Sequence, residues 1–212
     1  MQLSVKKSIP GGQNMSIDNF PVYRAITERR TIRKFSQKQI PEETLKRLIN
    51  TARVAPSGGN RQPLDYIVIN EPALCAKLFQ LVKWAGYIAP NGDPKEGEEP
   101  TAYFIVLVDR DIKSTTSAYD VGAAAENIQL AAWEDGIGCC WQGAIMRDEI
   151  RALFKIPLDV EIDCVISLGY KAESPVMEDY KGSIKYWQDE NKTLHVPKRK
   201  LEDILRWNKY SR

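Results

Sequence analysis

The chain has 212 residues, of which 43% are apolar and 27% are charged, and its formal net charge is +2. These values fit a globular protein of one large or two small domains with a sizeable core. So small a net charge gives no reason to expect nucleic acid or an anionic membrane as the partner. The four cysteines and the single histidine lack the spacing of a zinc site, so we expect buried, reduced thiols.

The N-terminal segment does not have the pattern of a secretory signal. Pro10, Gly11 and Gly12 interrupt it before any continuous apolar run develops. No later stretch approaches the roughly 18 apolar residues of a membrane span. We therefore expect residues 1–19 to be a mobile lead-in and the protein to be cytoplasmic.

The most distinctive stretch is RRTIRKF, which runs from Arg29 to Phe35 between two predicted helices. Three arginines and a lysine fall within six residues of it, and guanidinium groups match phosphate oxygens bidentately. Thr31 adds a hydroxyl beside two apolar side chains. The stretch is therefore a candidate anion site, although Arg29 and Arg30 are also what an ordinary helix C-terminus favours.

A second distinctive stretch follows the next helix. That helix is predicted to begin at Pro41, because proline and two glutamates favour a helix N-terminus, and to stop at Pro56. The loop PSGGNRQP then runs to Pro63, and its prolines and glycines exclude a helix or strand interior. Gly58 and Gly59 permit close backbone approach. The loop is either a ligand-binding loop or a plain connector.

The remaining chain alternates strands and helices, which predicts a single α/β layered domain. Near-continuous apolar runs predict strands at residues 65–70, 102–108 and 160–168. We expect the first of these strands to be buried on both faces. A helix from Ala118 to Trp133 is crowded with small side chains, so we expect it at the centre of the fold or at a subunit contact.

Two polar segments are expected at the surface. Residues 84–100 are loose and acidic, which predicts a loop or lid. From Lys181 to Arg212 there are nine Lys/Arg against four Asp/Glu, a local net charge of +5. Residues 180–197 are polar and are predicted to be irregular. We therefore expect the tail to wrap around another surface, such as that of a second subunit.

Three elements occur in an order that resembles the nitroreductase family of FMN-dependent, NAD(P)H-oxidising flavoproteins. They are RRTIRKF, then PSGGNRQP, then CCWQG after the small-residue helix. The resemblance implies an α/β (α+β) three-layer sandwich with a central mixed β-sheet flanked by helices, and one FMN-binding domain over residues 20–212. It also implies a homodimer with FMN at the interface, a C-terminal arm at 180–212 that wraps the partner, and a variable lid at 84–100.

The resemblance assigns cations and a hydroxyl to the FMN phosphate, namely Arg29, Thr31, Lys198, Arg199 and Lys200. It assigns Arg30 to the ribityl chain. Arg33 would approach the pyrimidine edge of the flavin and stabilise the reduced form electrostatically. No side chain is implied as an essential acid or base.

Two further groups are implied around the flavin. The partner subunit would contribute residues of the Gly-rich loop, namely Pro56, Ser57, Gly58 and Asn60, with Gln62 nearby. The backbone of Trp141, Gln142 and Gly143 would pass the flavin ring.

The implied reaction is a ping-pong hydride transfer from NAD(P)H to flavin N5 and on to an electron-poor acceptor, such as a nitroaromatic or a quinone. No GxGxxG follows a predicted strand, so a Rossmann domain is not expected. Two alternatives stay open. One is a flavin-fragmenting enzyme or reductive dehalogenase of the same fold, and the other is a flavin-binding protein without turnover.

Overall fold

The computed structural model describes residues 20–210, so the expected lead-in at 1–19 lies outside the described residues. The helices are α1 (Pro21–Glu28), α2 (Glu42–Arg53), α3 (Pro72–Phe79), α4 (Ser117–Glu134), α5 (Arg147–Phe154) and α6 (Leu201–Ile204). The strands are β1 (Leu64–Ile69), β2 (Ala102–Asp109), β3 (Ile137–Gln142), β4 (Val160–Tyr170), β5 (Val176–Asp179), β6 (Trp187–Gln188) and β7 (Leu194–Lys198). Within this part of the chain, no helix is long and apolar enough to cross a membrane.

The central sheet has the strand order β1-β2-β4-β3, and β2 supplies side chains to both of its faces. Phe104 and Val106 belong to a core cluster with α2 and α4, whereas Tyr103 and Ile105 belong to a second cluster with α3 and α5. Successive strand residues point to opposite faces, so an uninterrupted apolar strand must be covered on both sides. The expected three-layer arrangement of helices, sheet and helices is confirmed.

A second, smaller sheet has the order β5-β7-β6. Its β5–β7 pair is parallel and its β6–β7 pair is antiparallel, whereas every neighbouring pair of the central sheet is antiparallel. The mixed pairing therefore occurs in the small sheet. The prediction that residues 180–197 are irregular was wrong for β6 and β7, because these strands are short and have no periodic pattern.

Two predictions about single elements also need correction. β1 is an edge strand, so it is not buried on both faces, and Val68 is 41% exposed. The spacing of Leu74, Leu78 and Leu81 predicts a helix as far as Trp84, but the helix ends at Phe79, and Val82 forms a β-bridge with Ile145. Both errors come from treating an apolar run as evidence of regular, fully covered structure.

The small-residue helix α4 lies at the centre of the chain's packing. Its residues Ala124, Ala125 and Ile128 are almost fully buried, and it packs against α2, β3 and α1. Small side chains allow these neighbours to approach closely. A side chain added at Gly122 would meet nothing within 4 Å, so one side of α4 remains open in the single chain.

Candidate functional site

The basic stretch lies on the sheet through two apolar anchors. Ile32 and Phe35 are both 0% exposed. The Ile32 N–H donates to the carbonyl of Cys139 on β3 at 3.0 Å, and Phe35 forms an antiparallel bridge with Lys171 just after β4. Because these two buried side chains flank Arg33 and Lys34, the two cations are held half-buried at the edge of the core.

Two opposed glycines make room for these anchors. Gly138 on β3 faces Gly169 on β4 in the sheet register. A Cβ added at Gly138 would lie 2.5 Å from Ile32 Cβ, and one at Gly169 would lie 2.7 Å from Phe35 Cβ. Only glycine allows the backbone to be approached this closely. The pair forms a shallow seat for the basic stretch, and no sequence pattern identified it.

The arginines of the stretch share an unusual property. The Nε atoms of Arg29, Arg30 and Arg33 are buried and have no hydrogen-bond partner among residues 20–210. Arg29 is not isolated, since its Nη1 donates to Gln129 at 3.3 Å and its Nε lies 3.3 Å from a Glu126 oxygen without hydrogen-bond geometry. Buried donors without acceptors cost free energy. A ligand that brings several anionic oxygens would relieve that cost.

A half-buried carboxylate fixes the backbone of the stretch. Glu173 accepts hydrogen bonds from the backbone N–H groups of Arg33 and Lys34. Burial raises the pKa of Glu173, and these hydrogen bonds and the two cations oppose that effect. Burial, and then the neighbouring charge of Arg29, lower the pKa of Arg30. Sequence reasoning missed Glu173, because its partners lie 140 residues earlier in the chain.

The small sheet lies against the same arginines. Arg30 Nη2 is 3.3 Å from the Met177 sulfur on β5. β5 pairs with β7 so that Asp179 lies opposite Lys198, the first of the three predicted C-terminal cations. Lys198, Arg199 and Lys200 are all exposed. The three cations therefore begin at the end of β7. This strand pairs with β5, and β5 contacts Arg30 through Met177.

The Gly-rich loop is held by one buried carboxylate of α4. Asp120 is 4% exposed and accepts hydrogen bonds from the Ser57 hydroxyl at 3.0 Å and the Gly58 N–H at 2.9 Å. Gly59, Asn60 and Gln62 have φ values of 60°, 53° and 53°, a region that glycine and asparagine tolerate better than most residues. These hydrogen bonds and backbone angles give the loop a defined shape.

Other residues of the loop line a cavity. Pro56, Ser57 and Gln62 border a space of about 300 Å³ between α2, the start of β1 and the first turn of α4. Tyr66 also borders it, and the Tyr66 hydroxyl is buried without a hydrogen-bond partner among the described residues. Burial raises the pKa of Tyr66 to about 12, so this phenol stays protonated.

The two candidate groups lie at different points along α4. Arg29 contacts the helix at Glu126 and Gln129, whereas the loop contacts it at Asp120. Six helical residues separate Asp120 from Glu126, which corresponds to about 9 Å along the axis. The structure of the single chain therefore does not bring the loop to the arginines.

The WQG segment ends β3, and its side chains alternate. Trp141 is 42% exposed, whereas Gln142 is 4% exposed. The Gln142 amide donates to the Lys83 carbonyl at 3.1 Å and accepts a hydrogen bond from Ser167. Its side chain is occupied within the protein, so Gln142 can offer a ligand only its backbone. Gly143 follows at the surface.

The acidic segment at 84–100 is attached at its C-terminal end. Gln37 Nε2 donates to the carbonyls of Gly97 and Glu99, each at 3.0 Å, and the Phe35 N–H donates to the Glu98 carbonyl at 3.0 Å. These contacts connect the segment directly to the residues that follow the arginines.

The adjacent cysteines Cys139 and Cys140 border the basic stretch, since the Cys139 carbonyl accepts the Ile32 N–H and the Cys140 thiol lies near Arg33. All four cysteines are buried and free, as predicted. Burial raises the pKa of Cys139 to about 12 and that of Cys140 to about 11. Such thiols stay protonated and unreactive at neutral pH.

Comparison with known proteins identifies the family. The sequence model of the Nitroreductase family matches residues 26–170, which include the basic stretch, the Gly-rich loop and the WQG segment. The match covers well over half of the chain. This chain belongs to the nitroreductase family.

One relative and two solved structures with similarity to this chain are also described as nitroreductases. A candidate NADH dehydrogenase/NAD(P)H nitroreductase of Archaeoglobus fulgidus is 34% identical over 156 residues, which cover 69% of this chain and 83% of the relative. An FMN-dependent nitroreductase from Clostridium difficile R20291 has a TM-score of 0.63 at 23% identity, over 88% of this chain and 98% of that one. A nitroreductase candidate from Desulfovibrio desulfuricans, in complex with FMN, has a TM-score of 0.63 at 22% identity, over 76% and 92%. These two structures establish the likeness of fold.

Proposed function

We propose that the protein is an FMN-dependent oxidoreductase that takes a hydride from NAD(P)H and passes it to an electron-poor acceptor, such as a nitroaromatic or a quinone. The observation that carries the proposal is the set of buried guanidinium Nε atoms without partners in Arg29, Arg30 and Arg33. Family membership supports the reaction class, and the names of the relatives support NAD(P)H and FMN as its reactants.

The residues of the basic stretch suit FMN in charge and in spare donors. We assign Arg29 and Thr31, with Lys198, Arg199 and Lys200, to the phosphate, and Arg30 to the ribityl chain. Guanidinium groups bind phosphate oxygens through paired hydrogen bonds, so the phosphate would supply an acceptor for Arg29, while the ribityl hydroxyls and the ring would supply acceptors for Arg30 and Arg33. When bound, FMN supplies the ring that accepts and returns the hydride.

Arg33 has a different assigned role, at the pyrimidine edge of the flavin. Its guanidinium keeps its charge at all relevant pH values, so it favours the more negative, reduced form of the cofactor. The backbone of residues 141–143 would border the ring. The protein's contribution is therefore binding, orientation and a fixed charge, and no acid or base side chain is required.

We further propose a homodimer in which the Gly-rich loop completes the partner's site. Two features of the single chain support it. The helix α1 leaves Val22, Tyr23 and Ile26 between 49% and 63% exposed, and Trp207 beyond α6 is 78% exposed. Apolar surface of this kind is typical of a covered interface. An obligate dimer would bury at least about 2,000 Å² in total.

One experiment tests the proposed function directly. The purified protein is mixed anaerobically with NADH and, separately, with NADPH, while the flavin absorbance is followed against an equal concentration of free FMN. We expect rapid bleaching with at least one nucleotide and recovery when a nitroaromatic or quinone is added. A flavin-bound protein that neither nucleotide bleaches would instead be a binding protein without this turnover.

A further inference from the structure

An aromatic ring of the C-terminal segment lies on the guanidinium group of Arg33. The Arg33 Cζ atom is 5.0 Å from the ring centroid of Tyr186. Cations within about 6 Å of a ring face are attracted by its quadrupole. The two residues are 153 positions apart in the chain, so no sequence pattern predicted the contact.

The stack continues into the acidic segment. The ring of Tyr186 lies 4.9 Å from that of Tyr87, with 54° between the planes, and the Tyr87 N–H donates to the Tyr186 hydroxyl at 3.4 Å. The Lys185 ammonium lies 6.0 Å from the ring of Tyr87. A guanidinium, two tyrosine rings and an ammonium thus form one continuous series, which joins the basic stretch to residues 84–100.

The backbone of Arg33 is fixed independently of this stack. Glu173 accepts its N–H, and the neighbouring Ile32 is fully buried against β3. The side chain is less constrained, since its Nε has no hydrogen-bond partner among residues 20–210. Cys140 and Glu173 also lie near the Arg33 side chain, and the ring of Tyr186 adds the aromatic contact that helps to set the direction of the guanidinium.

An aromatic partner has a property that a carboxylate lacks. A carboxylate would orient the guanidinium but would also cancel most of its field. A ring face orients the cation and leaves its net charge available to a third group. A residue whose assigned task is to favour the reduced flavin electrostatically needs an orienting contact of this kind.

We propose that Tyr186 is a positioning residue that holds the charge of Arg33 towards the pyrimidine edge of FMN. Because Tyr87 packs on Tyr186, a change in the position of residues 84–100 would also change the position of the Arg33 charge. The proposal rests on the proposed function, because it takes the assignment of Arg33 to the flavin as given. It adds a physical link between the segment expected to shape the acceptor pocket and the redox potential of the cofactor.

The residue next to Tyr186 keeps the segment in place by separate contacts. The Trp187 ring stacks on His195 at 4.3 Å, and the Trp187 Nε1 donates to Glu178 at 2.8 Å. These contacts belong to the small sheet and do not involve Arg33. Replacing Tyr186 should therefore leave the fold of the segment intact.

The central test is the flavin midpoint potential of the FMN-loaded variants Tyr186→Leu and Tyr186→Phe. We expect the leucine variant to lose about fivefold in its preference for reduced over oxidised FMN, which is a potential about 20 mV lower for a two-electron couple. The phenylalanine variant keeps the ring face and should match the wild type. Tyr180→Leu, in the same segment, is the matched control and should also match it.

A double variant shows whether Tyr186 acts through Arg33. Arg33→Ala should lower the potential further than Tyr186→Leu does, and adding Tyr186→Leu to Arg33→Ala should change nothing more. Equal potentials for wild type and Tyr186→Leu would overturn the proposal. So would full additivity in the double variant, or a phenylalanine variant that behaves like the leucine variant.

A readout without cofactor separates this inference from the proposed function. In FMN-free protein, the Arg33 side-chain NMR resonances should show an upfield ring-current shift in the wild type and in Tyr186→Phe, and should lose it in Tyr186→Leu. Identical Arg33 shifts in all three would remove the contact on which the inference stands. Failure of NAD(P)H to bleach the flavin would refute the proposed function and leave the NMR result unaffected. Normal bleaching with unchanged potentials would refute only the inference.

Discussion

The basic stretch and the Gly-rich loop are positioned by different forces. The stretch from Arg29 to Phe35 is held by two apolar side chains seated over opposed glycines, and the Nε atoms of its three arginines have no hydrogen-bond partners among the described residues. The loop has no buried residue of its own between Ser57 and Asn60, and one buried carboxylate, Asp120, anchors its polar groups. The basic stretch therefore keeps hydrogen-bond donors that have no acceptor. In the Gly-rich loop, the groups that anchor the backbone already have their acceptor.

This difference assigns the two regions different tasks. Apolar anchoring leaves the Nε donors of all three arginines available to a ligand, although Arg29 also contacts Glu126 and Gln129, and Arg30 also donates to the carbonyl of Thr27. In the loop, the Ser57 hydroxyl and the Gly58 N–H already donate to Asp120, and these hydrogen bonds fix the shape of the loop. We therefore expect the stretch to supply binding energy for an anion, and the loop to supply a surface of fixed form.

The largest expected effect comes from removing an apolar anchor. Phe35→Ala should lower the free energy of unfolding by about 3–5 kcal/mol, because a fully buried ring leaves a cavity. FMN affinity should fall as well, since the arginines lose their support. Denaturant unfolding and flavin titration measure the two effects.

The matched control for the anchor is Phe154→Ala. Phe154 is only half-buried and packs in the second core cluster, with α3 and α5, whose members include neither Ile32 nor Phe35. That variant should lose stability but keep its affinity for FMN. If both variants lost FMN affinity in proportion to stability, the special role of apolar anchoring would be contradicted.

An intermediate effect is expected at the loop. Asp120→Ala leaves two former partners, the Ser57 hydroxyl and the Gly58 N–H, without their acceptor, and should cost about 1–3 kcal/mol of stability. Asp120→Asn keeps one acceptor and should cost less. Thermal unfolding of both variants distinguishes the cases, and equal costs for the two would show that the carboxylate does not anchor the loop.

The smallest effect concerns pH. The pKa of Glu173 is raised in the folded protein, chiefly by burial, so its ionised form disfavours folding. The folded state binds the extra proton between the unfolded and the folded pKa, and stability falls as pH rises through that window. Thermal unfolding should therefore show that the stability of Glu173→Gln, relative to the wild type, is higher at pH 8 than at pH 4. A gain that grows as the pH falls would reverse the sign of the argument.

Elements with strong local signals could be predicted from the sequence. The sequence from Arg147 to Phe154 predicts a helix with the bounds that the structure has, because the signals for its start, periodicity and end are all local. The buried strand at 102–108 and the long small-residue helix are also confirmed. The resemblance to the nitroreductase family rested on three short stretches, and the family match confirms it. The assignment of individual residues to FMN stays a prediction.

The missed features all depend on contacts between distant residues. Glu173 and Tyr186 touch the basic stretch from the far end of the chain, and the seat for the stretch requires Gly138 to face Gly169. Each residue is unremarkable among its sequence neighbours. Strand pairing across the sheet decides such contacts, and local propensity carries no information about it.

The central claim is that the basic stretch holds the phosphate of FMN, and comparing FMN with riboflavin tests it most directly. Titrating both flavins into flavin-free wild type and Arg29→Ala isolates the phosphate, since riboflavin lacks it. Arg24→Ala is the matched control, because Arg24 is an exposed cation that pairs with Glu28 on α1. We predict that Arg29→Ala weakens FMN binding by about tenfold or more and leaves riboflavin binding within about twofold, since a charge-assisted hydrogen bond contributes about 1.5–3 kcal/mol. Equal losses for the two flavins, or no loss for FMN, would contradict the account.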